Sequence, residues 1–135
     1  MSCGRTKRGP GREPAVELPR RLSRHLARSG LVRPEDRVLV AVSGGLDSVV
    51  LLHLLRFHVS PRPAFLAAAT FDHGMRPGSD ADARWVAGLC RAWDVPLERG
   101  RADPPPRTET EARAARYRFL FAAARRIGAT RIATA

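Results

Sequence analysis

An open parallel α/β sheet flanked by helices is the fold this sequence predicts, and three features point to it. The run Arg37-Val-Leu-Val-Ala-Val42 is continuously β-branched or apolar and ends abruptly at Ser43-Gly44-Gly45, as a buried parallel strand does. The residues that follow, Asp47 to about Val59, are apolar almost all round, which suits a helix lying on a sheet. Short apolar runs then recur after each helical stretch, and strands alternating with helices imply right-handed crossovers in one parallel sheet. At 135 residues, 44% of them hydrophobic, the chain has material for one domain with a real core.

The elements follow in order. Residues 1–17 hold Gly4, Gly9, Pro10, Gly11 and Pro14 among scattered charges without apolar period, and are expected to be a disordered basic arm. Leu18, Leu22, Leu26 and Ala27 recur at helical spacing between arginines, with Gly30 placed to stop the helix. After the first strand and its helix, Pro61 and Pro63 break the chain, and Ala64 to Phe71 forms a second buried strand. Ser79 is expected to cap the next helix, with Asp80 and Asp82 in its first turn and an apolar face of Trp85, Val86, Leu89 and Trp93. Val95 to Glu98 gives a short third strand, against which Pro96 counts. Asp103-Pro-Pro-Pro106 is a stiff connector. Thr108 or Thr110 opens a long helix with a stripe of Ala112, Ala115, Phe119, Ala122 and Ala123, closed by Gly128. Arg131 to Ala135 begins a fourth strand and stops, so residues 18–135 are expected to be a partial domain, incomplete at its C-terminal end.

The formal net charge of +11 favours a polyanionic partner such as nucleic acid. Lys7 is the sole lysine among the 24 basic residues, so an arginine-rich composition bias explains the charge equally well. Cys3 and Cys90 are far apart and form no C-x-x-C pair, which points away from a disulfide framework or a thiolate metal site and fits a cytoplasmic protein. No stretch approaches the ~18 apolar residues of a membrane span, and no membrane partner is expected.

The chemistry is concentrated in Ser43-Gly44-Gly45-Leu46-Asp47-Ser48, between the first strand and its helix. A parallel strand feeding a helix places unpaired N–H groups and the positive dipole end at the carboxyl edge of the sheet, where phosphates bind. Two glycines let the backbone approach an anion, and Ser43 and Ser48 are expected to add hydroxyl donors. Asp47 beside such a nest calls for Mg²⁺ between its carboxylate and the phosphates. The spacing and the missing lysine exclude a Walker A loop. A helix cap after a glycine turn is the plainer reading of the same residues.

The S-G-G-x-D-S string resembles the PP-loop of the N-type ATP pyrophosphatases, an adenine nucleotide alpha-hydrolase-like, Rossmann-like fold. Two further strings narrow the resemblance. Asp72-His73-Gly74-Met75-Arg76 looks like the D-H-x-L-R signature of the tRNA(Ile)-lysidine synthases, with Met75 in place of the usual leucine. Glu109-x-x-x-Arg113-x-x-Arg116-Tyr117 looks like that family's E-x-x-A-R-x-x-R-Y helix. The likeness runs from about Arg37 to Ala135.

The resemblance implies an enzyme that binds ATP and Mg²⁺ and adenylates the C2 oxygen of the wobble cytidine of an isoleucine tRNA. Free L-lysine then displaces AMP to leave lysidine. Carried onto this sequence, Ser43, Gly44, Gly45, Leu46, Asp47 and Ser48 would hold the nucleotide, with Asp47 on the metal, and His73, Arg76 and Arg113 would join Asp47 in catalysis. From the residues alone, His73 and Arg76 read more readily as a turn histidine and a solvated arginine. Glu109 stands four residues before Arg113 and can form an ion pair with it, in a substrate site or in a surface ion-pair lattice. His25, His53 and His58 read as surface or packing residues. A tRNA 2-thiolating enzyme, a small-molecule amidating ligase of the same superfamily, and a non-catalytic basic RNA-binding module are the alternatives.

Overall fold

A computed structural model describes residues 14–135 of the chain, so residues 1–13 of the expected arm lie outside the described residues. The elements are α1 (Pro14–Ser29), β1 (Arg37–Ala41), α2 (Leu46–Phe57), β2 (Phe65–Asp72), α3 (Ser79–Ala92), β3 (Leu97–Arg101), α4 (Glu109–Ile127) and β4 (Arg131–Ala133). Helix α1 thus begins before Leu18 and takes in the last four residues assigned to the arm.

The sheet is wholly parallel, in the order β3-β2-β1-β4. The chain steps outward twice through α2 and α3, then returns through α4 to the far side of β1. Right-handed crossovers in opposite directions put their helices on opposite faces of the sheet, and the packing follows. Val38, Val40 and Ala68 face Leu52, Leu55, Val86 and Cys90 of α2 and α3, while Leu39, Ala67 and Ala69 face Leu120, Ala123 and Ala124 of α4. The three alanines of β2 let helices approach on both faces. Reversal of strand order between β1 and β4 opens a crevice at their carboxyl ends, where ligands of such sheets bind.

Several boundaries differ from those expected. Strand β3 starts at Leu97, because Pro96 has no N–H and offers only its carbonyl, which accepts from Ala68 N–H at 2.8 Å. Gly78, at φ 80°, occupies the cap position of α3, so Ser79 is the first helical residue and caps nothing. The buried stripe of α3 is Ala83, Val86 and Cys90, with Trp85 54% exposed. In α4, Leu120 and Ala124 are buried and Ala122 is not. Thr108 is the α4 cap, its Oγ1 accepting from Glu111 N–H at 3.1 Å while Glu111 Oε2 accepts from Arg107 N–H at 2.8 Å. Gly30 and Gly128, both at positive φ, close α1 and α4 as expected.

Candidate nucleotide-binding site

The loop between β1 and α2 is shaped by its own serines. Ser48, only 5% exposed, turns its Oγ back to accept from Ser43 N–H at 3.1 Å and donate to the Gly45 carbonyl at 3.0 Å. In this arrangement the Ser48 hydroxyl bonds within the loop, to the Gly45 carbonyl, and also lies 3.3 Å from Ser43 Oγ. Gly44 takes φ +85°, a conformation that any side chain would strain. None of the hydrogen bonds among the described residues uses the N–H groups of Gly44, Leu46, Asp47 or Ser48. Four donors at the positive end of α2 are thus left unclaimed.

Two of these residues, Gly44 and Ser48, border a cavity of about 890 Å³ over the carboxyl ends of the strands, within the range of small-molecule sites. One wall holds Ser43, Gly44, Gly45 and Ser48, with Ser79 and Asp82 from α3. Thr70, Asp72, His73 and Arg76 come from β2 and its turn, and Glu109, Arg113, Arg116 and Tyr117 from α4. Three separate sequence strings therefore meet in one space. Leu46, 78% exposed, and Asp47, also exposed, do not line it. Sequence reasoning passed over Thr70 and Asp82 as wall residues. The period of two along β2 was the available signal for Thr70, which shares a face with Asp72, and the first-turn position of Asp82 was the signal on α3.

The turn after β2 is built on Asp72. Its Oδ1 accepts from Gly74 N–H at 2.9 Å. The neighbouring Ser79 hydroxyl does most to hold the carboxyl below its ordinary pKa; burial opposes this, and the Gly74 N–H, Arg101 and His73 reinforce it. His73 Nδ1 accepts from Met75 N–H at 3.0 Å, so a neutral His73 carries its proton on Nε2. Arg76 is exposed at the rim.

On α4 the Glu109–Arg113 pair that the spacing allows is not among the ion pairs of the described residues. The ion pairs among the described residues are Arg84–Asp80, Arg101–Asp72, Arg126–Glu98 and Arg131–Asp36. Arg113 instead lies over the Tyr117 ring, 5.5 Å from its centroid, and Arg116 lies at the same distance. The Glu109 carboxylate stays in the first turn of α4, where the helix dipole favours it.

A glycine-lined nest at a strand-to-helix junction, facing arginines across the switch point, is a phosphate-binding geometry, and a family model described as a PP-loop domain matches residues 14–135. The chain belongs to that family. As a PP-loop domain it is similar to the tRNA(Ile)-lysidine synthase of Gloeobacter violaceus, 44% identical over 119 residues that make up 88% of this chain and 36% of that protein. It is also similar to the tRNA(Ile)-lysidine synthase of Thermotoga maritima, at 39% identity over 74% of this chain and 26% of that protein. The chain thus spans about a third of the length of these relatives or less. Among solved structures, the U34-tRNA thiolase NcsA from Methanococcus maripaludis with its [4Fe-4S] cluster superposes with a TM-score of 0.72 at 17% identity, over 89% of this chain and 44% of that one. That likeness establishes the PP-loop fold alone. No helix of the described residues is long and apolar enough to cross a membrane.

Proposed function

We propose that the chain is the Mg·ATP-binding part of a cytoplasmic tRNA(Ile)-lysidine synthase, a ligase that forms a carbon–nitrogen bond. The observation that carries this reading is the β1–α2 loop, whose Gly44 and Ser48 N–H groups are unclaimed, opposite the arginines of α4 in one cavity. The names and identity levels of the relatives support the choice of reaction.

In this reading the loop from Ser43 to Ser48 holds the β- and γ-phosphates of ATP by backbone N–H groups. The C2 oxygen of the wobble cytidine of an isoleucine tRNA attacks the α-phosphorus, and pyrophosphate leaves. The amine of free L-lysine then attacks C2, releasing AMP. Arg76 and Arg113 place cations where negative charge builds up, and His73 can donate from Nε2. The residues fit Mg²⁺ as a shared ligand. Mg²⁺ characteristically takes one or two carboxylates plus substrate phosphates. Asp47, exposed on the β1–α2 loop, and Asp82, on the cavity wall, are the carboxylates that would hold it. Bound there, it would neutralise phosphate charge.

Calorimetric titration of the chain with ATP, with and without Mg²⁺, tests the site. Asp47→Ala is expected to remove most of the Mg²⁺-dependent gain in affinity. A Cβ at Gly45 would stand 3.3 Å from Ser43 Oγ and crowd the nest, so Gly45→Val is expected to abolish binding. Equal affinity in wild type and Gly45→Val would sink the assignment.

A further inference from the structure

We infer that Tyr117, beside the guanidinium groups of Arg113 and Arg116, is a stacking shelf for an RNA nucleobase brought to the nucleotide cavity. This rests on the ATP-dependent RNA-modifying reading given above and assigns that site its acceptor position. All three side chains line the cavity. Both guanidinium carbons lie 5.5 Å from the centre of the one ring, and neither arginine has a carboxylate in ion-pair range among the described residues.

Two unneutralised cations on one ring repel each other, a cost that a polyanionic ligand removes. Flat rings beside guanidinium planes are the chemistry on which unstacked RNA bases settle. Two cations close to one ring suit a nucleotide within a chain, which carries phosphate on its 5′ and 3′ sides. ATP carries its phosphates on one side, and the unclaimed N–H groups of the β1–α2 loop are placed to take them. The two subsites also belong to opposite faces of the sheet, since α4 packs on the Leu39, Ala67 and Ala69 side and α2 on the Val38, Val40 and Ala68 side. They face each other over the strand ends, nucleotide on one side and acceptor base on the other. Tyr117 packs against the Leu120 cluster, so the shelf is fixed before the base arrives.

Fluorescence anisotropy with a labelled RNA hairpin tests this, comparing cytidine at an exposed loop position with an abasic site there. The wild-type chain is expected to prefer the cytidine hairpin by about tenfold. Tyr117→Leu, which keeps apolar packing, is expected to erase that preference while binding the abasic hairpin as before. Tyr117→Phe is expected to retain it, and circular dichroism checks that both variants fold. No preference in the wild type, or a preference surviving in Tyr117→Leu, would overturn the shelf. So would loss of Mg·ATP affinity in Tyr117→Leu, which would give the ring to adenine. If the wild type fails to bind Mg·ATP yet prefers the cytidine hairpin, the ATP reading falls and the shelf stands.

Discussion

Replacing Ser48 by alanine removes the hydrogen bonds that give the β1–α2 loop its shape. Ser48 Oγ bridges Ser43 N–H at 3.1 Å and the Gly45 carbonyl at 3.0 Å from a buried position. A net hydrogen bond contributes about 0.5–1.5 kcal/mol, and an orphaned donor costs more when water cannot reach it. Ser43 is exposed, so its freed N–H can be hydrated, and the two bonds together come to about 1–2 kcal/mol. For a domain of this size that lowers Tm by about 3–8 °C. The unclaimed N–H groups also lose their common direction, and Mg·ATP affinity is expected to fall about tenfold, equivalent to ~1.4 kcal/mol. Thermal denaturation followed by circular dichroism reads the first effect and calorimetric titration the second. Ser43→Ala is the control. It removes only the 3.3 Å contacts from Gly45 N–H and to Ser48 Oγ, so it should cost under about 1 kcal/mol of stability. Unchanged Tm and affinity in Ser48→Ala, or an equal loss of stability in Ser43→Ala, would refute the claim that Ser48 builds the loop.

Acid should destabilise the fold through Asp36 and Asp72. The Arg33 N–H is the main cause lowering the Asp36 pKa; burial opposes it, and the Thr130 hydroxyl, Arg131 and Arg33 charges assist, while Asp72 is lowered chiefly by Ser79. Both titrate lower in the folded chain, so the stabilisation is present above the unfolded carboxylate pKa of about 3.9 and is lost as pH falls through the lowered native values. Denaturant titrations at falling pH should show this, with a shallower decline in Asp36→Asn. Gly100→Ala would set a Cβ 2.5–2.9 Å from the Phe119 ring, which stacks on Phe71, and overpacking of this kind costs about 1–3 kcal/mol, measurable as a lower denaturation midpoint. Binding of whole tRNA by the chain should be weak, steeply reduced by salt and nearly indifferent to which tRNA is offered, because phosphate contacts carry no sequence information. A strong preference for one isoleucine tRNA in a competition assay would contradict that.

Much of the fold was legible because its signals are local. The β-branched run before Ser43 is 0–2% exposed at Val38, Leu39, Val40 and Val42, and the glycine stops at Gly30 and Gly128 fall where positive φ is needed. The misreadings came where two local rules competed. Ser79 has the chemistry of a cap, but Gly78 already turns the chain there. Val95 has strand propensity, but its N–H is bound to the Cys90 carbonyl at the end of α3, and Pro96 delays the ladder. Trp85 was placed on the core face by hydrophobicity alone, whereas the direction of α3 over the sheet gives that face to Ala83, Val86 and Cys90.

The sequence by itself determined which elements form, in what order, and that a glycine nest ends β1, since strand and helix periods and turn chemistry act over a few residues. Only the tertiary structure decided what meets at the nest. The return of β4 to the far side of β1 carries α4 to the opposite face, so that Arg113, Arg116 and Tyr117 close a cavity begun by Ser43 and His73. Packing also set Arg113 over Tyr117, bonded the Ser48 hydroxyl to the Gly45 carbonyl, and left Asp47 outside the wall while bringing in Thr70 and Asp82. Those outcomes depend on strand order and on rotamers chosen against neighbours far away in the chain, which no periodicity records.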